Sequence, residues 1–315
     1  MNLPTEVSIV EVGPRDGLQN ESVMVATPDK RRLIEALAGA GLQRIEVGSF
    51  VSPKWIPQMA DGLELIQSLN LPAGIRTSAL VPNDKGYESA LQSGLKEIAL
   101  FMSATESHNK KNINKTTQEA IDTLAGLAKR AREDGLKVRC YLSVVFVCPY
   151  EGKTDARKVE ELVKQLVSIG IDELSLGDTI GGATPQDVWN ILERLEKDVP
   201  KNKLALHFHD TRGTALANVL AGLQAGITIF DSSIGGMGGC PYAPGAAGNL
   251  ATEDLVYMLE GMGIKTGVNL EKLVDAGQLA QELVKHNLAG RYLQACLASR
   301  AKLSKEKAAN LEACK

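Results

Sequence analysis

A chain of 315 residues with 44% hydrophobic and 23% charged side chains has ordinary globular composition, which excludes wholesale disorder. Its 35 basic against 38 acidic groups leave a net charge of −3, and five Phe, two Trp and six Tyr are few for a base-stacking surface, so neither nucleic acid nor an anionic membrane is an expected partner. Glu6 and Glu11 fall where a signal peptide needs its apolar region, and no run of about 18 apolar residues occurs, so a soluble, cytoplasmic protein is expected.

The first strand is expected at 7–13, followed directly by Pro14-Arg15-Asp16-Gly17, and the first helix at 29–40, after a Thr27-Pro28 pair that reads as N-cap and first helical position. From there one unit recurs: a helical pattern, Gly, an apolar residue, a short polar spacer and an apolar strand. Gly41-Leu42 leads into 45–50, Gly94-Leu95 into 98–103, Gly135-Leu136 into 138–147, Gly170-Ile171 into 174–178, and Gly226-Ile227 into 229–233. Glycine suits these positions because a helix C-cap favours a left-handed residue, and the next apolar side chain packs back on the last turn. Two longer gaps hold further strands at 75–81 and 204–210, and amphipathic stretches cover 116–134, 156–168 and 185–197, the last after Thr184-Pro185.

Strict alternation implies a parallel sheet, and eight strands ending near residue 260 favour closure into a TIM (β/α)8 barrel over the alternative, an open doubly wound sheet. Helical stretches at 269–285 and 288–311 follow with no strand between them. The expected organisation is therefore an α/β catalytic barrel over 1–267 and a C-terminal helical extension packed on it over 268–315.

In such a barrel the active site forms at the C-terminal ends of the strands, which gives four polar groupings a functional reading beside a structural one. Arg15-Asp16 closes the first strand, although an Asp-Gly turn alone would explain it. His207 and His209 alternate with apolar residues on the seventh strand, so both point to one face at a spacing suited to one metal ion. Glu46, Arg139 and Asp178 sit inside strands or at their ends and must face the barrel interior, where an ion pair between Glu46 and an arginine is the structural alternative. The fourth, residues 235–249 after the eighth strand, holds six glycines and Cys240, and lacks the Gly-Lys-Ser/Thr of a phosphate-binding loop. Five cysteines, at 140, 148, 240, 296 and 314, without a C-x-x-C pair indicate neither a disulfide framework nor a zinc knuckle.

Taken together, VEVGPRDGLQNE (10–21), SFVSPKWIPQMAD (49–61), KKNIN (110–114), CPYEGK (148–153), LGDTIG (176–181), HFHDTRG (207–213) and GGCPYAPGAAGNLATEDLVYMLEG (238–261) resemble the 3-hydroxy-3-methylglutaryl-CoA lyase family. That family sits within the metal-dependent lyases and Claisen condensing enzymes that carry an Asp-Arg-Glu set on a TIM barrel. The resemblance implies metal ligands Asp16, His207, His209 and Asn249 for Mg2+ or Mn2+, and catalytic roles for Arg15, Asp16, Glu46, Asp178, His207 and the loop thiol Cys240. It implies weaker substrate contacts from Gln19, Asn112, Arg139 and Tyr141. An acyl-CoA substrate, a homodimer and a place in leucine degradation follow from the same resemblance. Alternatives are a forward Claisen-type condensing enzyme, a lyase for a related 3-hydroxyacyl-CoA, a zinc or iron hydrolase built on two His and an Asp, and a non-enzymatic interaction protein. Val47-Gly48-Ser49 and Ser22 depart from the pattern of other members, on the CoA side of the site.

Overall fold

The computed structural model describes residues 3–239 and 248–313. Eight parallel strands close into a barrel: β1 (Ser8–Glu11), β2 (Arg44–Ser49), β3 (Arg76–Leu80), β4 (Glu97–Ser103), β5 (Lys137–Ser143), β6 (Glu173–Asp178), β7 (Leu204–Phe208) and β8 (Ile229–Ser232). Each strand pairs with its sequence neighbours, and β8 returns to β1 with Ser8 opposite Ile229 and Glu11 opposite Ser232. The chain is thus a closed TIM barrel rather than an open sheet. All five expected C-cap glycines, 41, 94, 135, 170 and 226, have positive φ, the conformation in which glycine alone carries no steric cost.

The outer helices form because their apolar residues recur at helical spacing. Helix Ala156–Ser168 buries Val159, Leu162, Val163 and Leu166, one stripe facing the strands, while Arg157, Glu161 and Lys164 face water. Helix Pro185–Leu195 starts as its sequence suggests: Thr184 and Asp187 form a reciprocal capping box. The Thr27 expectation needs correction. That helix begins at Thr27 itself with Ala26 as N-cap, because the Thr27 hydroxyl donates to Asp61 Oδ2 at 2.8 Å instead of capping.

The strand expected over 138–147 also stops early, at Ser143. Val144 turns to φ +52°, its N–H donates to Thr179 Oγ1 (2.9 Å), and its carbonyl accepts from Thr154 Oγ1 (2.8 Å). These side-chain bonds replace the ladder partners that a longer strand would need, and Val147–Cys148 pairs antiparallel with Gly152–Lys153 as a small hairpin over the barrel mouth. Similarly β7 ends at Phe208, and His209 forms a single bridge with Asn249.

The C-terminal extension contains helices Leu270–Val284 and Arg291–Ala313. The first lies against helix Thr27–Gly39, and Asn269 N–H donates to Ala40 O at 2.7 Å. Between the two helices, Gly290 N–H donates to Gly235 O at 2.8 Å, so the extension touches the segment that follows β8. Among the described residues no helix is long and apolar enough to cross a membrane.

Inside the barrel, the lower tier is ionic rather than apolar. Arg139 is 1% exposed and donates from Nε to Glu173 Oε1 and from Nη2 to Asp231 Oδ1, each at 2.6 Å, while Arg44 makes a two-pronged contact with Glu173 at 2.8 and 2.9 Å. Removing one member of such a buried set strands the others without solvent, a loss on the order of 3–5 kcal/mol. Arg139→Met is therefore expected to lower the unfolding free energy by about 3–5 kcal/mol in a denaturant titration followed by circular dichroism, well above a surface substitution.

Candidate active site

The segment after β1 is a tight turn, Gly13–Gly17, in which the N–H groups of Arg15, Asp16 and Gly17 all point at the Val12 carbonyl. It swings Arg15 and Asp16 inward over the barrel mouth. There Arg15 Nε donates to Glu46 Oε2 at 2.6 Å and Arg15 Nη1 to Asp16 Oδ1 at 2.5 Å, with Tyr141 O–H donating to the same Glu46 oxygen at 3.0 Å. The structural reading of Glu46 as an ion-pair partner is thus observed, and the arginine it fixes is the one at the mouth. Arg15 also lies over the Tyr141 ring, 5.1 Å from its centroid.

Asp16, His207 and His209 each present a ligand atom within 4.8 Å of the others. Asp210 N–H to Gly248 O (2.8 Å) and Leu250 N–H to Phe208 O (3.0 Å) stitch residues 248–250 onto the end of β7, which brings Asn249 alongside His209. The Asn249 amide group donates to Asp16 Oδ2 (2.9 Å) and to Met237 O (3.2 Å), which leaves its Oδ1 buried with no partner; His209 Nδ1 is buried and unpartnered as well. Buried polar atoms without partners, on residues that converge with a carboxylate, are what a cation site looks like from the protein side. The donor set of carboxylate, imidazole and amide oxygen, with no thiolate, suits a divalent cation.

Protonation also fits. Burial opposes ionisation of Asp16, but Arg15 and the two imidazoles more than offset it and hold its carboxyl down to about 2. Burial pushes the His209 imidazole down to about 4, with His207 adding to the effect and Asp16 opposing it. At neutral pH the carboxylate is ionised and His209 neutral, the states in which both bind metal. His207 Nδ1 lies 3.3 Å from Asp231 Oδ2, outside full hydrogen-bond geometry but close enough to orient the ring.

The other expected site residues divide. Gln19 and Tyr141 reach the cavity, but each also braces the ionic set: Gln19 Nε2 donates to Asp16 Oδ1 at 2.9 Å. Asn112 lines the same cavity. Arg139 does not; its guanidinium donates to Asp231 and Glu173 in the tier below. Asp178 accepts from the N–H groups of Gly182 (2.8 Å) and Ala183 (3.0 Å), and burial pushes its carboxyl up to about 6. Cys240 and Cys314 lie outside the described residues. Asp231 was missed, although a charged residue between Phe230 and Ser232 in an apolar strand carries the same signal that picks out Glu46.

Above this cluster opens a cavity of about 760 Å³. Its floor is Arg15, Asp16, His207 and His209; one wall is apolar, with Val51, Leu80 and Phe101, and another carries Lys111 and Lys115, with the exposed Trp55 at the rim. A TIM barrel with a carboxylate, histidine and amide cluster beside a buried arginine at its C-terminal mouth defines a class, the divalent-metal barrel enzymes. The model of the HMGL-like family matches residues 6–280, and the chain belongs to that family. It is 52% identical over 294 residues to hydroxymethylglutaryl-CoA lyase YngG of Bacillus subtilis, covering 93% of this chain and 98% of that protein. The crystal structure of a Bacillus subtilis HMG-CoA lyase superposes with a TM-score of 0.92 at 52% identity, over 94% of this chain and 99% of the other. An HMG-CoA lyase from Acinetobacter baumannii, in complex with coenzyme A and 3-methylmalate, superposes with a TM-score of 0.88 at 37% identity, over 92% and 95% of the two chains.

His209→Ala removes one imidazole of the candidate metal cluster at the mouth without opening the core. Because even the loss of an outer-shell partner costs about 10–100-fold in metal affinity, Mn2+ binding by calorimetric titration is expected to weaken by at least about 100-fold, with the thermal midpoint shifted by only a few degrees.

Proposed function

We propose that the chain cleaves (S)-3-hydroxy-3-methylglutaryl-CoA to acetoacetate and acetyl-CoA, using Mg2+ or Mn2+ held by Asp16, His207, His209 and Asn249. The observation that carries this reading is the convergence of Asp16, His207 and His209 on one point beside Arg15, at the floor of a cavity large enough for a thioester and its pantetheine arm. The CoA part is supported by the relative that binds coenzyme A and by Lys111, Lys115 and Trp55, which offer cations and an aromatic face at the cavity's outer side.

Cleavage breaks the C2–C3 bond after loss of the proton from the C3 hydroxyl, and the bonding pair moves onto the thioester as an enolate. A divalent cation bound in the cluster supplies Lewis-acid polarisation to substrate oxygens. The two candidates for the acceptor of the hydroxyl proton are Asp16 and His207, which stand together at the cavity floor. Arg15 is fixed by Glu46 with no freedom to follow solvent, which supports a role for its guanidinium in donating to the thioester oxygen as negative charge grows there. One such preorganised donor is worth about 3 kcal/mol. Cys240 is our candidate for the acid that returns a proton to the enolate carbon and completes acetyl-CoA. We expect a cytoplasmic homodimer, with Leu303 on the last helix as exposed apolar surface for a second copy.

Incubation with the thioester and Mg2+ is expected to release acetoacetate and acetyl-CoA in equal amounts, and excess chelator to abolish this. Arg15→Lys keeps the charge but loses the fork that spans Glu46 and the substrate, so kcat is expected to fall by at least about 100-fold with KM nearly unchanged. Full turnover in chelator, or an unchanged kcat in the Lys variant, would contradict the proposal.

A further inference from the structure

Glu11 is a fully buried carboxyl group on β1 that the reaction above does not use. Its Oε1 accepts from the N–H groups of Gly13 and Ile234, both at 2.8 Å, and its Oε2 accepts from Thr252 Oγ1 at 2.6 Å. These donors belong to three separate segments: the turn that carries Arg15 and Asp16, the turn Ile234–Gly236 that follows β8, and the first residue of helix Thr252–Gly261. The next residue along, Gly235, is held by another buried carboxylate, donating its N–H to Glu253 Oε2 at 2.7 Å.

Both turns lead to the metal cluster. From Gly13 the chain passes directly to Arg15 and Asp16. From Ile234 it reaches Met237, whose carbonyl accepts from Ser233 Oγ at 2.8 Å and from the Asn249 amide at 3.2 Å, and that amide also reaches Asp16 Oδ2 at 2.9 Å. The bonds form a closed circuit from Glu11 through one turn to Asp16 and through the other to Asn249. There is little slack in it. A Cβ on Gly13 would lie 2.6 Å from Glu11 Oε1, and one on Gly17 would lie 3.0 Å from both Met237 Cε and Ser233 Oγ.

We propose that Glu11 is a positioning residue for this site: by gripping Gly13 and Ile234 with one oxygen, it sets the register between the β1 and β8 turns, so that Asp16 and Asn249 face the same cation and Arg15 stays over the substrate. The kinetic part rests on the lyase reading; the metal-binding part does not. A carboxyl group that only capped its own strand end would bind Gly13 alone, whereas this one also holds Ile234, 223 residues away in sequence.

What the circuit needs from Glu11 is hydrogen-bond geometry, not charge. Burial pushes this carboxyl up to about 7, its three donors only partly offsetting the loss of water. Glutamine reproduces the grip, with its amide oxygen on the two N–H groups and its NH2 directed at the Thr252 oxygen, whose own hydroxyl can turn to Ser232 Oγ, 2.9 Å away. Aspartate keeps the charge and withdraws the carboxylate from both N–H groups by about 1.5 Å, one carbon–carbon bond.

The test compares Glu11→Gln and Glu11→Asp in the full chain by Mn2+ titration followed by electron paramagnetic resonance, steady-state kinetics on the same thioester, and thermal unfolding. Glu11→Asp is expected to weaken Mn2+ binding about 10-fold or more and to lower kcat about 100-fold with KM within about threefold. Glu11→Gln is expected to restore both to within about fivefold of the wild type. Wild-type Mn2+ affinity and kcat per folded molecule in Glu11→Asp, whatever its thermal midpoint, would overturn the proposal, and so would a Gln variant as impaired as the Asp variant. If the wild type failed to cleave the thioester, the lyase reading would fall while the Mn2+ titrations still decided the role of Glu11.

Discussion

The guanidinium of Arg15 is buried at the mouth of the barrel, and the arrangement around it follows from the need to keep that charge paired. A cation removed from water at this depth is tolerable only with a carboxylate in full contact, which Glu46 supplies at 2.6 Å. Glu46 is itself fully buried, and burial holds its carboxyl above the usual range even with Arg15 beside it, so it needs the Tyr141 hydroxyl as a second donor. Tyr141 lies between Arg15 and Arg139, with the two guanidinium carbons 5.1 and 4.8 Å from its ring centroid. Thus the upper tier at the cavity floor and the lower tier that closes the barrel share one aromatic ring.

That sharing connects stability to chemistry. Asp231 neutralises Arg139 and also stands behind His207, so the residue that balances charge in the barrel floor reaches the cluster at its mouth as well. Asp16 takes Arg15 and Gln19 on one oxygen and Asn249 on the other, leaving it no rotational freedom. A site held this rigidly before anything binds avoids reorganisation at the moment of reaction, the property that makes fixed dipoles and charges effective in catalysis.

Much of this was legible in the sequence because barrel units repeat. Each Gly-apolar step marked a true helix-to-strand junction, and the alternation of His207 and His209 with apolar neighbours placed both imidazoles on the inner face. What escaped was set by partners distant in sequence. Nothing local says that Thr27 would spend its hydroxyl on Asp61, or that Thr154 and Thr179 would end β5 at Ser143 by capturing Val144. Nor does the sequence say that the turn after Asp178 folds back to donate two N–H groups to its carboxyl. Arg139 and Glu46 carry the same sequence signal, a charge inside an apolar strand. Only the register of β5 against β6, with Arg139 opposite Glu173, puts Arg139 in the lower tier.

We place one divalent cation among Asp16, His207, His209 and Asn249, directly beside an arginine fixed by Glu46. Crystals grown with Mn2+ and measured for anomalous scattering at the manganese edge test it most directly. The account predicts a single strong peak within coordination distance of all four residues, with the Arg15–Glu46 contact unchanged. A peak elsewhere, or one that leaves out Asp16 and either histidine, would contradict it.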